Sequence, residues 1–122
     1  MSETLVNFIA FEPERDACLM VLVEEGPWEG STDDHLRALQ DRLYGCLNAA
    51  LDGALADQFP ASKGKTIVIQ IDCYDLPREP IDAFVNRFAA GIAATPDYST
   101  VGSKFVREWQ FEVNHDTLPT LQ

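Results

Sequence analysis

Apolar residues recur every second position at both ends of this chain and in one central run, and at helical spacing in two stretches between. Over residues 5–11, Leu5, Ile9 and Phe11 fall on one side and Val6, Phe8 and Ala10 on the other, which predicts a strand apolar on both faces. Pro13-Glu14-Arg15-Asp16 supplies turn chemistry. Residues 17–24 then resume the alternation, with Cys18, Met20 and Leu22 opposing Leu19, Val21 and Val23, as the second arm of an antiparallel hairpin. After Gly26-Pro27, Leu36, Leu39, Leu43, Cys46, Leu47, Ala50 and Leu51 mark one stripe of a long helix. Ser31 or Thr32 can cap it, Asp33 and Asp34 complement its positive dipole end, and Ser31 with Asp34 approximates a capping box. Asp33, Arg37 and Asp41 lie four apart and predict a surface charge ladder, while Gly53 is the candidate left-handed stop. Residues 54–59 read as a looser turn ended by Pro60.

The loop Ala61-Ser62-Lys63-Gly64-Lys65 leads into residues 66–74, where Ile67, Ile69, Ile71 and Cys73 share one face of a strand. Pro77 to Pro80 turns the chain, and Pro80 suits the first helical position. Ile81, Phe84, Val85, Phe88, Ala89 and Ile92 form a second amphipathic helix that ends before Pro96. A polar loop, 97–103, precedes a last strand with Phe105, Trp109, Phe111 and Val113 on one side and Lys104, Glu108, Gln110 and Glu112 on the wet side. Periodicity fades beyond Asn114, so the expected ordered core is about 4–113, with a frayed tail over 114–122. The order β-β-α-β-α-β predicts a single α+β domain over 1–122, a four-stranded mixed sheet with two helices packed on one face. The second side of the hairpin then needs cover from the long helix's extension, the C-terminal tail or another subunit, so a homodimer is one expectation.

Charge narrows the partners. The formal net charge is −11, and Glu12, Glu14, Asp16, Glu24, Glu25, Glu29, Asp33 and Asp34 have only Arg15 among them. Such a field repels phosphate backbones and anionic membrane surfaces, which disfavours direct nucleic-acid and membrane binding and favours a basic protein partner. Cys18, Cys46 and Cys73 lie far apart in apolar runs and read as buried thiols in a reducing compartment. With no signal-like start and no apolar run near the ~20 residues of a membrane span, the cytoplasm is the expected location.

No catalytic, cofactor-binding or metal-binding motif stands out. Ser62-Lys63-Gly64-Lys65 lacks both the glycine spacing and the following helix of a phosphate loop. His35 beside Asp33 and Asp34 invites a metal or acid/base reading, but adjacent helix positions diverge by about 100°, and a packed helix entrance with His35 against Trp28 fits better. Asp72, Asp75, Glu108 and Glu112 would share a face if the last two strands are neighbours, which offers either paired carboxylates for acid/base work or an ordinary solvated sheet face. Trp28 and Trp109 are the aromatic anchors, in the core or at an interface. The candidate interaction surface is Trp28, Glu29, Asp33, Asp34 and His35.

This succession resembles a family of small uncharacterised bacterial proteins, a domain of unknown function. The shared pattern is a hairpin, Trp28, His35-Leu36, Leu39-Gln40, Leu47-Asn48, Gly53, and Pro60-Ala61-Ser62-Lys63-Gly64 followed by the β-branched run from Thr66 to Ile71. It spans roughly 5–92 and departs near Tyr44 to Asn48, where the family's Leu-Asn-x-Tyr-Leu aligns in two registers, and in the C-terminal strand. The resemblance implies a fold unit and a bacterial source, and carries no activity or catalytic residue. The leading expectation is a non-enzymatic acidic interaction domain, an adaptor or immunity-type binder. An enzyme or small-ligand binder using Asp72 and Glu108, and an acidic nucleic-acid mimic, are the alternatives.

Overall fold

The computed structural model describes residues 8–116. Four strands, β1 (Phe8–Glu12), β2 (Ala17–Glu25), β3 (Lys65–Tyr74) and β4 (Val106–Asp116), form one sheet in their sequence order. The short turn after β1 makes it antiparallel to β2, whereas the helical crossovers make β2, β3 and β4 parallel. Helix α1 (Thr32–Leu51) joins β2 towards β3, followed by a one-turn helix α2 (Ala54–Gln58), and α3 (Arg78–Ala94) joins β3 to β4. Two crossovers of one hand stepping the same way along a sheet place both helices on the same face. Packing agrees: Leu39, Leu43 and Leu47 of α1 and Ile81, Phe84 and Phe88 of α3 share one core with Met20, Leu22, Ile67, Ile69 and Ile71.

Helix boundaries follow local chemistry. Ser31 is the cap, its extended backbone letting the hydroxyl accept the Asp34 N–H at 3.3 Å. Gly53 stops α1 at φ 94°, and what the sequence marks as a looser turn is α2, entered through the Asp52 carboxylate accepting the Ala54 N–H at 2.9 Å. Helix α3 starts at Arg78, two residues before the expected Pro80. Proline is tolerated there because the first-turn amides have no intrahelical partner to lose.

The last strand differs most from its pattern. A register shift between Lys65/Thr66 and Val106/Glu108 inserts Arg107 as a bulge, so Val106 is fully buried in the main core and Phe105 lies outside the strand over Gly53. The strand also continues to Asp116, past the expected end of the ordered core at 113. Asn114 and His115 are tied sideways, Asn114 donating to Asp72 at 3.0 Å, and such polar ties leave no hydrophobic period to read. Residues 5–7 of the expected first strand and residues 117–122 of the expected tail lie outside the described residues.

On the face away from the helices, Ala17, Leu19, Val21 and Val68 form a second small buried cluster with Ala10 against it. Arg15, in the hairpin turn, is held by Glu12 and reaches Glu112 at 2.6 Å and Gln110 at 3.3 Å on β4, so its side chain spans the row Leu19–Val68–Gln110. A long aliphatic stem laid across such a row covers apolar surface while its charge stays at the rim. Asp16 next to it is bonded by Lys65 and by Arg107 at 3.0 Å, and Arg107 also donates to the Thr66 hydroxyl at 3.1 Å. The neighbouring cations hold Glu12 and Asp16 below the usual carboxylate range, so this cover is complete above the ordinary carboxylate pKa and is lost on acidification.

Candidate functional site

The entrance of α1 brings some of the expected interaction residues together. The rings of Trp28 and His35 stack with centroids 4.9 Å apart and planes 8° from parallel, and Nε2 of His35 donates to the Glu29 carbonyl oxygen at 2.7 Å. Trp28 also packs against the main core, as does Leu36. Both rings are thus used to fasten the 26–31 loop to the helix. Asp33 and Asp34 are exposed in the first turn and do not converge on the imidazole. Arg37 meets Asp34 at 3.8 Å, so the expected ladder through Asp33, Arg37 and Asp41 is replaced by one exposed three-apart pair. Since Ser31 satisfies an orphan amide here, Ser31→Ala is expected to lower stability by about 1 kcal/mol, measured from urea unfolding midpoints.

Of the four expected carboxylates, Asp72, Glu108 and Glu112 do share the wet face of the sheet and Asp75 does not, and they do not form a working pair. Glu108 is opposite Thr66 and Asp72 opposite Asn114, a separation of six residues along β3, about 20 Å. Asp72 accepts from Gln70 and from Asn114, each at 3.0 Å, and Glu112 is bound by Arg15. Asp75 sits beyond β3 at φ 58°. These are the partners of a solvated, hydrogen-bonded face.

One constellation was invisible in the sequence. At the carboxyl ends of the parallel strands, His115 Nε2 lies 2.7 Å from Asp82 Oδ1, although the residues are 33 positions apart, and Cys73 is the register partner of His115. Only strand order could have placed them together. Burial, aided by the charges of Glu24, Asp82 and Asp72, pushes the Cys73 thiol up to about 12, which keeps it from being a thiolate nucleophile at neutral pH. Among the described residues, no group of three or more His, Cys, Asp or Glu is placed to hold a metal ion, and no helix is long and apolar enough to cross a membrane.

A concave surface lies elsewhere among the described residues, where the C-terminal end of α3 and the following 3₁₀ turn (Pro96–Tyr98) face β4. A cavity of about 680 Å³ opens there, with Ala89, Ile92 and Ala93 on one wall and Trp109 and Phe111 on the other. The wall is braced by ring contacts: Phe111 meets Phe88 edge to face at 5.7 Å, and Phe88 meets Tyr44 at 5.1 Å. Several of its polar groups are engaged. Trp109 Nε1 donates to the Tyr98 carbonyl at 2.9 Å, Tyr98 Oη to Asn48 at 3.1 Å, and Thr95 Oγ1 to the Gly91 carbonyl at 2.6 Å. No carboxylate, imidazole, amine or thiol lines it, so it can accept an apolar group but offers the hydroxyls of Thr95, Tyr98, Ser99 and Thr100 no general base near neutral pH. The sequence marks Trp109 as an anchor. It does not show the groove, which needs α3 and β4 to be neighbours.

Neither a curated protein nor a solved structure matches the chain. A family model does, over residues 1–100, which takes in the hairpin, both long helices and β3 together with every residue of the resemblance from Trp28 to Ile71. The match stops before β4 begins at Val106. With most of its length inside that match, the chain belongs to DUF6572, a family of unknown function.

Proposed function

We propose that this domain acts by binding another protein without catalysing a reaction, as an adaptor or immunity-type binder whose acidic surface selects a basic partner. The observation that carries this reading is the groove between α3 and β4: concave, walled by Trp109 and Phe111, and lined by no carboxylate, imidazole, amine or thiol that could activate its hydroxyls. An apolar recess beside a polar rim is the usual form of a protein hot-spot pocket. The net charge of −11 favours cationic partners and speeds their approach. The enzyme alternative needs Asp72 and Glu108 to cooperate, and about 20 Å separates their positions on the sheet. The entrance of α1 contributes acidic surface through Asp33 and Asp34, whereas its aromatic ring is already stacked.

The test is capture from the native host with the tagged full chain, at low and at physiological ionic strength, beside the variant Ala93→Trp, which fills the groove from an exposed position. The expected result is a basic protein retained by the wild type and at least about tenfold less by the variant. Retention of nothing specific at either ionic strength, or equal retention by both proteins, refutes the reading.

A further inference from the structure

We infer that β4 is a docking edge that takes up a basic, strand-forming segment of another protein by strand addition, the apolar side chains of that segment entering the α3–β4 groove. This inference rests on the binding reading above and specifies how the partner is held. Its starting point is the sheet order: β4 ends the sheet with β3 on one side, and among the described residues no strand pairs with its other side. At 11 residues it is also longer than the opposite edge, β1, with 5 described residues. Exposed edges are normally blunted by proline, by shortness, by bulges or by charge; β4 has no proline, carries its bulge only at its start, at Arg107, and from Glu108 onwards its full charges are acidic, which repels another acidic edge but not a basic one. From Glu108 to Asp116 the register with β3 is regular, so the outer backbone groups are set at strand spacing.

The two faces of β4 then specify the guest. Trp109 and Phe111 face the helices and wall the groove, and Gln110 between them sends its side chain to the other face, where it meets Arg15. Gln110 nevertheless lines the same cavity, so the cavity runs along β4 from Trp109 to Phe111. A strand laid along that edge alternates its side chains, one set into the groove and the other on the wet face beside Glu108, Glu112 being already bound by Arg15. Apolar residues fit the first set. Lysine or arginine fits the second, because opposite charges on neighbouring strands attract and like charges repel. A second copy of this chain would instead bring the same acidic row and another net charge of −11 to the edge.

The experiment uses the full chain and, as probe, a peptide of about ten residues alternating valine and lysine, with its valine–glutamate counterpart as control. Hydrogen exchange followed by NMR is expected to show the lysine peptide protecting backbone amides of β4 and shifting the Trp109 indole, and the glutamate peptide doing neither. Ala93→Trp is expected to weaken binding by about tenfold or more and Glu108→Lys by about fivefold, each at an exposed position outside the core. Equal binding of both peptides, protection confined to the α1 entrance, or self-association through β4 that excludes the peptide would each overturn the inference. Capture of a cellular partner through the groove with β4 exchange unchanged would overturn strand addition while leaving the binding reading intact. β4 protection by the lysine peptide with no cellular partner captured would support strand addition and refute the broader reading.

Discussion

Gly26→Ala is expected to destabilise the protein by about 3 kcal/mol, a large share of the 5–15 kcal/mol that holds a domain of this size together. The cause is steric. A Cβ on Gly26 would lie 2.0 Å from the Asp75 carbonyl oxygen, 2.9 Å from its carbonyl carbon and 2.7 Å from Cδ2 of Leu76. The leucine can rotate away, but the peptide cannot, because Asp75 already sits in the left-handed region at φ 58° and the Gly26 N–H is bonded to the Tyr74 carbonyl at 2.7 Å. Relief therefore requires the ends of β2 and β3 to part, which breaks that bond and displaces the loop carrying Trp28. Urea unfolding should show the loss as a lower midpoint, and tryptophan fluorescence should report loosening of the Trp28–His35 stack before global unfolding. A midpoint equal to that of the wild type would refute the close approach.

Gly26 also shows where sequence reasoning reaches its limit. Gly-Pro reads as a turn from its own chemistry, yet the reason alanine fails is the backbone of Asp75, almost fifty residues away. Local signals carried well: the stripes of α1 and α3, the Ser31 cap and the Gly53 stop all act within a few residues, and all are where their patterns put them. A period of two says which residues share a face but not which strands are neighbours. Everything depending on neighbours was therefore hidden: the Asp82–His115 contact, the reach of Arg15 to Glu112, and the groove that α3 and β4 build together. The bulge at Arg107 shows the same limit within one strand, since it brings Val106 into the core by shifting the alternation assumed from Phe105 onwards. For the candidate site, the acidic α1 entrance, the packing of His35 against Trp28 and Trp109 as an anchor were all legible, and only the groove that Trp109 walls needed the packing of α3 on β4 to be seen.

The three thiols lead to the other large effect, a steep loss of stability in alkali. Cys18, Cys46 and Cys73 are free and buried, and burial pushes their pKa values from the ordinary 9.0 up to about 11, about 12 and about 12. At Cys46 desolvation outweighs the opposing charge of Arg42. A folded-state pKa above the unfolded one means that the native protein keeps a proton the unfolded chain releases. The associated stability is thus whole below about pH 9, and it is lost as pH rises through the window up to about 11 to 12. Each thiol contributes a slope of about 1.4 kcal/mol per pH unit, and the three together about 4. One to two pH units above 9 therefore remove an amount comparable with the whole stability of a small domain. Urea unfolding across this range should show that slope, and thiolate absorbance should appear together with unfolding. Cys18→Ala should reduce the slope by about a third whatever it does to absolute stability, because the cost of a cavity does not vary with pH. A stability that stays flat between about pH 9 and 11 would mean that the thiols ionise inside the fold, and Cys73 beside His115 would then be open to thiolate chemistry.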